Sequence, residues 1–461
     1  MAYYIGKKRP SDPNAEQPYA LGKLKLRLPF LHYGWEWPDA IQGAILCVVP
    51  MGIIAAMTAT LGIPFDVAIT MVIINNFMYL IHTTFGDPAV VGWITPGIPL
   101  YIAFLTGFME GPERIQAMIA LQLVVAFIFV FLAITRLAGK VVGAIPTSIK
   151  AGILLGAALA SIIGEFKTGG RIADFPVSIL LGVGFSFFML FSTSTGELRK
   201  RYNFFRYVAQ FGIAIPFALS YLLGIAIGEV EMPVIAWSFT PLAIGEMVRT
   251  LSPFSIGFPP LSFYIKALPL AFAAYVIAFG DILVASSLLK AADEARPDEK
   301  IVFDPDRNSL FAGLRNTIEG FLFPFLGLSG PQWAGGQALV VNRYINSTRE
   351  QMDSYWGGAT SIFWGMSIAL LLGPIVSLFK PGLAIGLSLT LLVQGYLCAY
   401  LAMEMIDNNI QRGVAGIIGA VIATKGAAWG LAIGLALYFL LEHDWFKKAA
   451  AGRSIDETTS Q

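Results

Sequence analysis

Charged side chains are scarce in this chain of 461 residues, where Asp, Glu, Lys and Arg together make up 13% of the sequence. Soluble domains carry about 25%. Hydrophobic residues make up 56%, so the composition excludes an ordinary soluble domain and predicts a chain embedded in a lipid bilayer. The net charge at pH 7 is only +1, which removes the electrostatic basis for a nucleic-acid partner.

Residues that bind metals or form covalent intermediates are scarce too. The two cysteines, Cys47 and Cys398, lie in separate apolar stretches, so we interpret them as small core residues rather than a disulfide or metal ligands. The three histidines, His32, His82 and His443, are far apart in sequence. A membrane-embedded enzyme needs a nucleophile–base pair or a metal cluster. An enzyme is therefore a remote alternative, and the sequence predicts no cofactor and no resident metal.

Long apolar runs fill most of the chain. A membrane-spanning helix needs about 20 apolar residues, and the sequence contains about fourteen candidate segments. They are predicted at 38–61, 65–83, 92–108, 115–135, 145–163, 175–193, 206–228, 264–289, 308–328, 333–345, 355–378, 382–403, 411–424 and 426–442. The even count, the basic N-terminal segment and the basic inner loops predict that both termini are cytoplasmic. We expect a multi-pass protein of the plasma membrane or a bacterial inner membrane.

The segments divide into two sets of seven. Because seven is odd, the two halves have opposite topology, an arrangement that is common in secondary transporters. The predicted divisions are an N-terminal cytoplasmic segment (1–37), a first repeat (38–228), an outer loop (229–263), a second inverted repeat (264–442) and a cytoplasmic tail (443–461). The sequence therefore predicts an all-α polytopic membrane protein.

The third and tenth segments are interrupted by proline and glycine, in "GDPAVVGWITPGIPLY" and "GLSGPQWAGGQALVV". Proline removes a backbone donor and clashes with the preceding turn, so residues 86–92 and 328–333 are predicted to be extended and to lead into half-helices. Inverted topology directs the two half-helix N-termini towards each other. Each end carries free N–H groups and roughly half a positive charge, which predicts a site for an anion or an electron-rich group.

Side chains beside these ends are the candidate site residues. Trp93 lies on the third segment, and Gln332, Trp333, Gly335 and Gln337 lie on the tenth. We predict that the glutamines supply amides, that the tryptophan supplies a stacking face, and that the glycines let a ligand approach the backbone. The alternative is that both breaks are re-entrant packing elements with small residues at helix crossings.

Asp281 lies in the middle of the eighth segment, in "AAYVIAFGDILVASSLLKAADE". An intramembrane carboxylate is costly and is usually functional, so we predict that Asp281 is the coupling residue, carrying a proton or helping to hold Na⁺. The alternative is a structural cap on the tenth half-helix. For Glu319 in the ninth segment, the simplest prediction is an ion pair with Arg315, one helical turn earlier.

Several stretches resemble the uracil/xanthine permease family, the nucleobase–cation and ascorbate symporters. More distantly, they resemble sulfate permeases and bicarbonate transporters that share a seven-plus-seven inverted-repeat fold. The stretches are "DPAVVGWITPG", "AIPTSIKAGILLGAAL", "IAFGDILVASSLL", "RNSLFAGLRNTIEGFLFPFLGLSGPQW" and "GGQALVVNRY". The resemblance implies a core domain (segments one to four and eight to eleven) that moves against a gate domain (five to seven and twelve to fourteen) in an elevator motion. It also implies a homodimer.

The resemblance places further residues at the site. Asp281 matches the family's second acidic position in the eighth segment, and Thr95 falls near its third-segment aromatic position. Nucleobase permeases usually carry a carboxylate where this chain has Ile277, and Glu or Gln where it has Ala334. A base is recognised through several hydrogen bonds, so a pocket with few carboxylates between two positive helix ends favours a small anion.

These observations predict a secondary active transporter that works by alternating access. The substrate is a small polar or anionic solute, either a nucleobase-like compound or an organic or inorganic anion, carried in symport with H⁺ or Na⁺. The alternative is an uncoupled anion exchanger or channel of the sulfate permease type.

Overall fold

The computed structural model describes residues 19–21, 24–202, 205 and 211–443. Most of them are helical. The main helices are α1 (Trp37–Leu61), α2 (Phe65–Thr84), α3 (Ile98–Leu105), α4 (Pro112–Thr135), α5 (Thr147–Phe166), α6 (Pro176–Phe191), α7 (Ala214–Ile227), α8 (Leu261–Ala295), α9 (Pro305–Leu322), α10 (Ala334–Ile345), α11 (Tyr355–Leu370), α12 (Leu383–Glu404), α13 (Asn409–Lys425) and α14 (Ala427–Leu437). Short helices lie between them at Ala138–Ala144, Arg171–Asp174, Thr193–Arg201, Ile244–Leu251, Pro253–Ile256 and Gly373–Phe379.

Long apolar helices confirm the predicted fold class, an all-α polytopic membrane protein. Within the described residues, six helical stretches are long and apolar enough to cross a bilayer. They are Trp37–Leu61, Phe65–Thr84, Pro112–Thr135, Thr147–Asp174, Leu261–Ala295 and Gly373–Glu404. The helices α1 to α14 follow the order of the fourteen predicted segments, and the number that cross the membrane stays a prediction.

Several predicted boundaries were wrong, each for a local reason. The ninth helix ends at Leu322 rather than 328, because Pro324 follows and the chain from Phe323 is extended. The eleventh ends at Leu370 rather than 378, just before Gly373 and Pro374 start a separate short helix. The eighth runs beyond the predicted 264–289 at both ends. Residues 206–210 of the seventh segment and residues 444–461 of the tail lie outside the described residues.

Four short strands complete the described structure. Strands β1 (Tyr19–Leu21) and β2 (Leu24–Leu26) form an antiparallel hairpin ahead of α1. Strands β3 (Gly92–Trp93) and β4 (Ser329–Gly330) pair antiparallel across the middle of the chain, with Gly92 opposite Gly330 and Trp93 opposite Ser329. The pairing confirms that the third and tenth segments are broken, because each is extended up to the start of its half-helix, α3 or α10.

Helices α1 and α11 approach closely through glycine. A Cβ atom on Gly43 would lie 2.8 Å from the carbonyl carbon of Ile362, and one on Gly365 would lie 2.6 Å from the carbonyl carbon of Ala40. Both contacts are with backbone, which cannot turn aside as a side chain can. Small residues at helix crossings are the usual means of close packing in membranes.

We expect Gly43→Ala to destabilise the protein, by about 1–3 kcal/mol, because the added methyl group must push α1 and α11 apart. Gly416→Ala on α13 is the matched control, since a Cβ atom there meets nothing within 4 Å. Thermal unfolding of the purified protein in detergent measures both changes. Equal melting temperatures for the two variants would contradict the close contact.

Candidate functional site

The two half-helices begin where β3 and β4 cross. A single 3-10 turn, Thr95–Gly97, connects β3 to α3, and Trp333 precedes the first residue of α10. Neither N-terminus receives a hydrogen bond from a capping side chain. The first N–H groups of a helix have no partner inside it, so both ends present free donors and positive partial charge.

The helix ends border an open region inside a well-packed core. Ala334 and Gly335 at the start of α10 are exposed, and Trp93 and Thr95 at the start of the third half-helix are partly exposed. Between them along the chain, Ile94 is completely buried. The structure therefore brings four of the predicted site residues to one accessible gap.

Trp333 packs on its own half-helix. A Cβ atom on Gly92 would lie 2.8 Å from Cβ of Trp333, and one on Gly336 would lie 2.7 Å from the Trp333 ring. These two glycines are small because the tryptophan occupies the space. Gly335 differs, since its Cβ would approach only the indole Nε1, at 3.3 Å. Gly335 thus faces the gap rather than a neighbouring helix.

Asp281 is half-buried on α8, next to the exposed Gly280, where a Cβ atom would meet nothing within 4 Å. Within the described chain, its carboxylate forms no hydrogen bond and no ion pair. It interacts electrostatically with the hydroxyl of Tyr101 on α3 and the thiol of Cys398 on α12. The structural alternative, in which Asp281 caps α10, is not what the structure contains, because α10 has no side-chain cap.

Tyr101 is a candidate that sequence reasoning missed. Its side chain is completely buried, and its hydroxyl makes no hydrogen bond within the described residues. The ring lies against Gly97, in the first turn of the third half-helix. A tyrosine in an apolar helix carries no distinguishing sequence pattern, so only its place beside Asp281 marks it.

Gln332 does not reach the gap, contrary to the prediction. It is 2% exposed. With its amide oriented so that both atoms have partners, it donates to the carbonyl of Asp281 (2.6 Å) and accepts from N–H of Ala285 (3.2 Å). These two backbone groups are one helical turn apart on α8. Gln332 therefore holds the start of α10 against the backbone at Asp281, and its amide is not available to a ligand.

Gln337 and Ile277 are also withdrawn from the gap. Gln337 is completely buried. Its Oε1 accepts from N–H of Val90 at 2.7 Å, and its Nε2 donates to the hydroxyl of Tyr355 at 2.5 Å. Ile277 is 3% exposed and belongs to the hydrophobic core. The predicted contact of these two side chains with a ligand is corrected, because protein atoms already surround them.

The predicted ion pair between Arg315 and Glu319 was wrong. Arg315 is completely buried and donates to the carbonyl oxygens of Gly92 and Gly330, both at 3.2 Å. Its guanidinium lies over the ring of Tyr79, 4.6 Å from the centroid. One arginine thus ties β3 to β4 from behind. The extended strands leave carbonyl groups without helical partners, and the guanidinium satisfies them better than a neighbour on its own helix.

A second polar group connects the broken segments at their entrance. Asp87 accepts from Asn308 (2.7 Å) and contacts Nδ1 of His82 (2.6 Å), and all three side chains are completely buried. Asn308 also donates to the carbonyl of Pro331 at 2.9 Å. The start of the third segment is therefore tied to the tenth through α9, a link that 221 intervening positions hide from sequence analysis.

Comparison with solved structures places this fold among membrane transporters. It matches the transmembrane domain of BicA, a cyanobacterial bicarbonate transporter, with a TM-score of 0.54, 14% identity, and coverage of 87% of this chain and 96% of that one. It matches murine Slc26a9, described as an anion transporter of Solute Carrier family 26, with a TM-score of 0.52, 14% identity, and coverage of 88% and 68%. No protein-family model matches the chain, and no curated protein matches its sequence.

At this identity the likeness establishes the fold. The more distant predicted resemblance, to bicarbonate transporters and sulfate permeases, is confirmed as a shared fold. The nearer resemblance, to uracil/xanthine permeases, is not shown by these comparisons.

Replacing Gln337 with leucine should lower the free energy of unfolding by about 1–3 kcal/mol, because the N–H of Val90 would be left buried without a partner. Thermal unfolding measures the loss, and titration with bicarbonate, sulfate and chloride checks the remaining binding. Unchanged stability together with lost anion binding would instead return Gln337 to the pocket.

Proposed function

We propose that this protein carries a small anion across the membrane by alternating access. The observation that supports this most directly is the meeting of two uncapped helix N-termini, where Ala334 and Gly335 are exposed and Thr95 is partly exposed. Backbone N–H groups and aligned peptide dipoles suit negative charge. The titles of two structures with the same fold name a bicarbonate transporter and an anion transporter, which supports the same substrate class.

An anion fits this gap better than a nucleobase does. The side-chain amides that the sequence offered, Gln332 and Gln337, are bonded to protein atoms. The remaining polar groups are backbone donors, the hydroxyl of Thr95 and the carboxylate of Asp281. A base needs a matched set of donors and acceptors to be recognised, whereas a small anion needs mainly donors.

Asp281 supports coupling to a cation. Gln332 binds the backbone at Asp281, so this carboxylate lies close to the start of α10, where the anion would bind. A negative charge beside a bound anion is unfavourable in a low-dielectric site. A proton or a sodium ion that neutralises Asp281 removes this repulsion, so that the cation and the anion favour each other's binding. Symport follows from that linkage.

The second candidate is an uncoupled anion exchanger or channel of the sulfate permease type. The likeness to Slc26a9 favours it. In that case Asp281 is a fixed charge of the pathway, and gradients of H⁺ or Na⁺ do not drive accumulation. A membrane-embedded enzyme is the remote third candidate, and the solved structures of this fold reported above are transporters.

We further propose the division into seven-plus-seven segments, with a core domain (segments one to four and eight to eleven) and a gate domain (five to seven and twelve to fourteen). Equivalent contacts support it, since α1 packs on α11 as α8 packs on α4. In an inverted repeat, the eighth segment corresponds to the first and the eleventh to the fourth. A homodimer, an elevator motion and cytoplasmic termini in a plasma or inner membrane remain part of this proposal.

Transport by purified protein in liposomes tests the function. The panel is bicarbonate, sulfate, chloride and uracil, each with and without gradients of Na⁺ and of pH. We expect uptake of at least one anion, accumulated against its gradient when a cation gradient is present. Uptake of uracil without any anion would overturn the substrate class, and anion uptake that ignores both cation gradients would select the uncoupled exchanger.

Asp281→Asn should abolish accumulation driven by Na⁺ or pH gradients while anion exchange at equilibrium persists, because the amide leaves the site permanently neutral. Counterflow and gradient-driven uptake, measured on the same liposome preparation, separate the two activities. Gradient-driven uptake at the wild-type rate would sink the coupling role.

Gly335→Leu should block anion binding and leave the fold intact, because its side chain would project into the gap at the end of α10. Gly416→Leu on α13 is the control, since that position faces open space. Anion affinity and melting temperature are measured for both. If Gly335→Leu unfolds the protein while Gly416→Leu does not, the glycine serves packing rather than a ligand.

A further inference from the structure

Glu319 is a completely buried carboxylate on α9 that the proposed function leaves unused. It accepts three hydrogen bonds from three different elements. The donors are Nδ2 of Asn75 on α2 at 2.5 Å, Nε2 of Gln122 on α4 at 2.6 Å and the hydroxyl of Ser329 on β4 at 2.8 Å. A carboxylate placed among three donors organises its surroundings.

Neighbouring bonds fix the direction of two of these contacts. The indole of Trp93 is only a donor, and its Nε1 donates to Oδ1 of Asn75 at 2.8 Å. The amide nitrogen of Asn75 must therefore face Glu319. Gln122 is fixed likewise, because its Oε1 accepts from the backbone N–H of Phe325 at 2.6 Å. Glu319 thus lies at the end of a directed chain of hydrogen bonds that starts at Trp93.

Trp93 is the site end of this chain. It lies on β3, directly before the third half-helix, and is partly exposed to the gap. Since its N–H points inwards to Asn75, the indole offers the gap its ring surface and no donor. The backbone donors at the helix ends are then the N–H groups that face an anion, and the ring limits the size of the anion that reaches them.

We propose that Glu319 is a positioning residue of the anion site, which holds the indole of Trp93 in place through Asn75. The inference rests on the proposed function. Glu319 also lies one turn after Arg315, whose guanidinium bonds the carbonyl groups of Gly92 and Gly330. The carboxylate offsets that buried positive charge directly behind the half-helix ends, so the potential at the gap comes from the helix ends themselves.

Glu319→Gln tests the acceptor role. An amide has one oxygen and one NH₂ group, so at least one of the three donors would face another donor. We expect the bond from Asn75 to weaken and the indole to turn. Because this variant can fail to fold, Asn75→Ala is the second variant, which removes the link and leaves the carboxylate in place.

Asn76→Ala is the matched control. Asn76 is the next residue on α2, is also completely buried, and donates to the hydroxyl of Ser367 at 2.9 Å rather than to the Trp93 chain. A loss of general packing at this part of α2 should affect Asn75→Ala and Asn76→Ala alike. A positioning role should affect only Asn75→Ala and Glu319→Gln.

The first measurement needs no ligand. The vibrational band of the indole N–H that reports hydrogen bonding is obtained for Trp93 from the difference between wild-type protein and Trp93→Phe. We expect this band to shift in Asn75→Ala and to stay unchanged in Asn76→Ala. A band that does not move in Asn75→Ala overturns the positioning role, whether or not any anion binds.

The second measurement is the affinity for bicarbonate and for sulfate, each used as a probe. We expect Asn75→Ala to weaken the binding of whichever anion the wild type binds by roughly threefold to tenfold, the value of one hydrogen bond. The double variant Asn75→Ala/Trp93→Phe should bind no more weakly than Trp93→Phe alone, since both changes break the same link. Additive losses, or equal losses in Asn76→Ala, overturn the inference. If the wild type binds neither anion while the Trp93 band shifts, the proposed substrate class fails and the positioning of Trp93 stands.

Discussion

Backbone hydrogen bonding within the membrane is the constraint on which this structure depends. A segment that is not helical at that depth leaves N–H and C=O groups without partners, at a cost of several kcal/mol each. Here two such segments satisfy one another. Strands β3 and β4 pair, N–H of Trp333 donates to the carbonyl of Val90 at 2.7 Å, and Arg315 takes a carbonyl group from each strand.

The same arrangement creates the candidate site. Because the two extended segments run antiparallel and each continues into a half-helix, the helix N-termini arise at the crossing, and their free donors collect there. The polar side chains behind the crossing, among them Asn75, Gln337 and Asn308, bond backbone or one another. They stabilise the crossing, while the gap itself keeps few side chains: Trp93, Thr95, Trp333 and Asp281.

Local rules made part of this arrangement predictable. Proline and glycine in residues 86–97 and 327–336 cannot form regular helix, and hydropathy places both stretches among membrane helices. These rules act over a few residues, so the broken segments, the half-helix starts and the accessible position of Gly335 follow from reading along the chain. The same reading assigned Gln332 and Gln337 to a ligand, because an amide beside a helix end looks alike whether it faces a gap or a neighbouring backbone.

The sequence by itself determined that the chain is a helical membrane protein with two interrupted segments and one unpaired carboxylate, Asp281, in the middle of α8. Only the tertiary structure decided which polar groups meet. Asn75 and Glu319 are 244 positions apart, and Val90 and Gln337 are 247 apart. A buried polar group bonds whichever partner the packing of distant helices brings within reach, and for Glu319 that partner was not Arg315, one turn away on the same helix. Hydropathy and backbone preferences are properties of neighbouring residues, whereas hydrogen-bond partners in a membrane core are properties of the assembled fold.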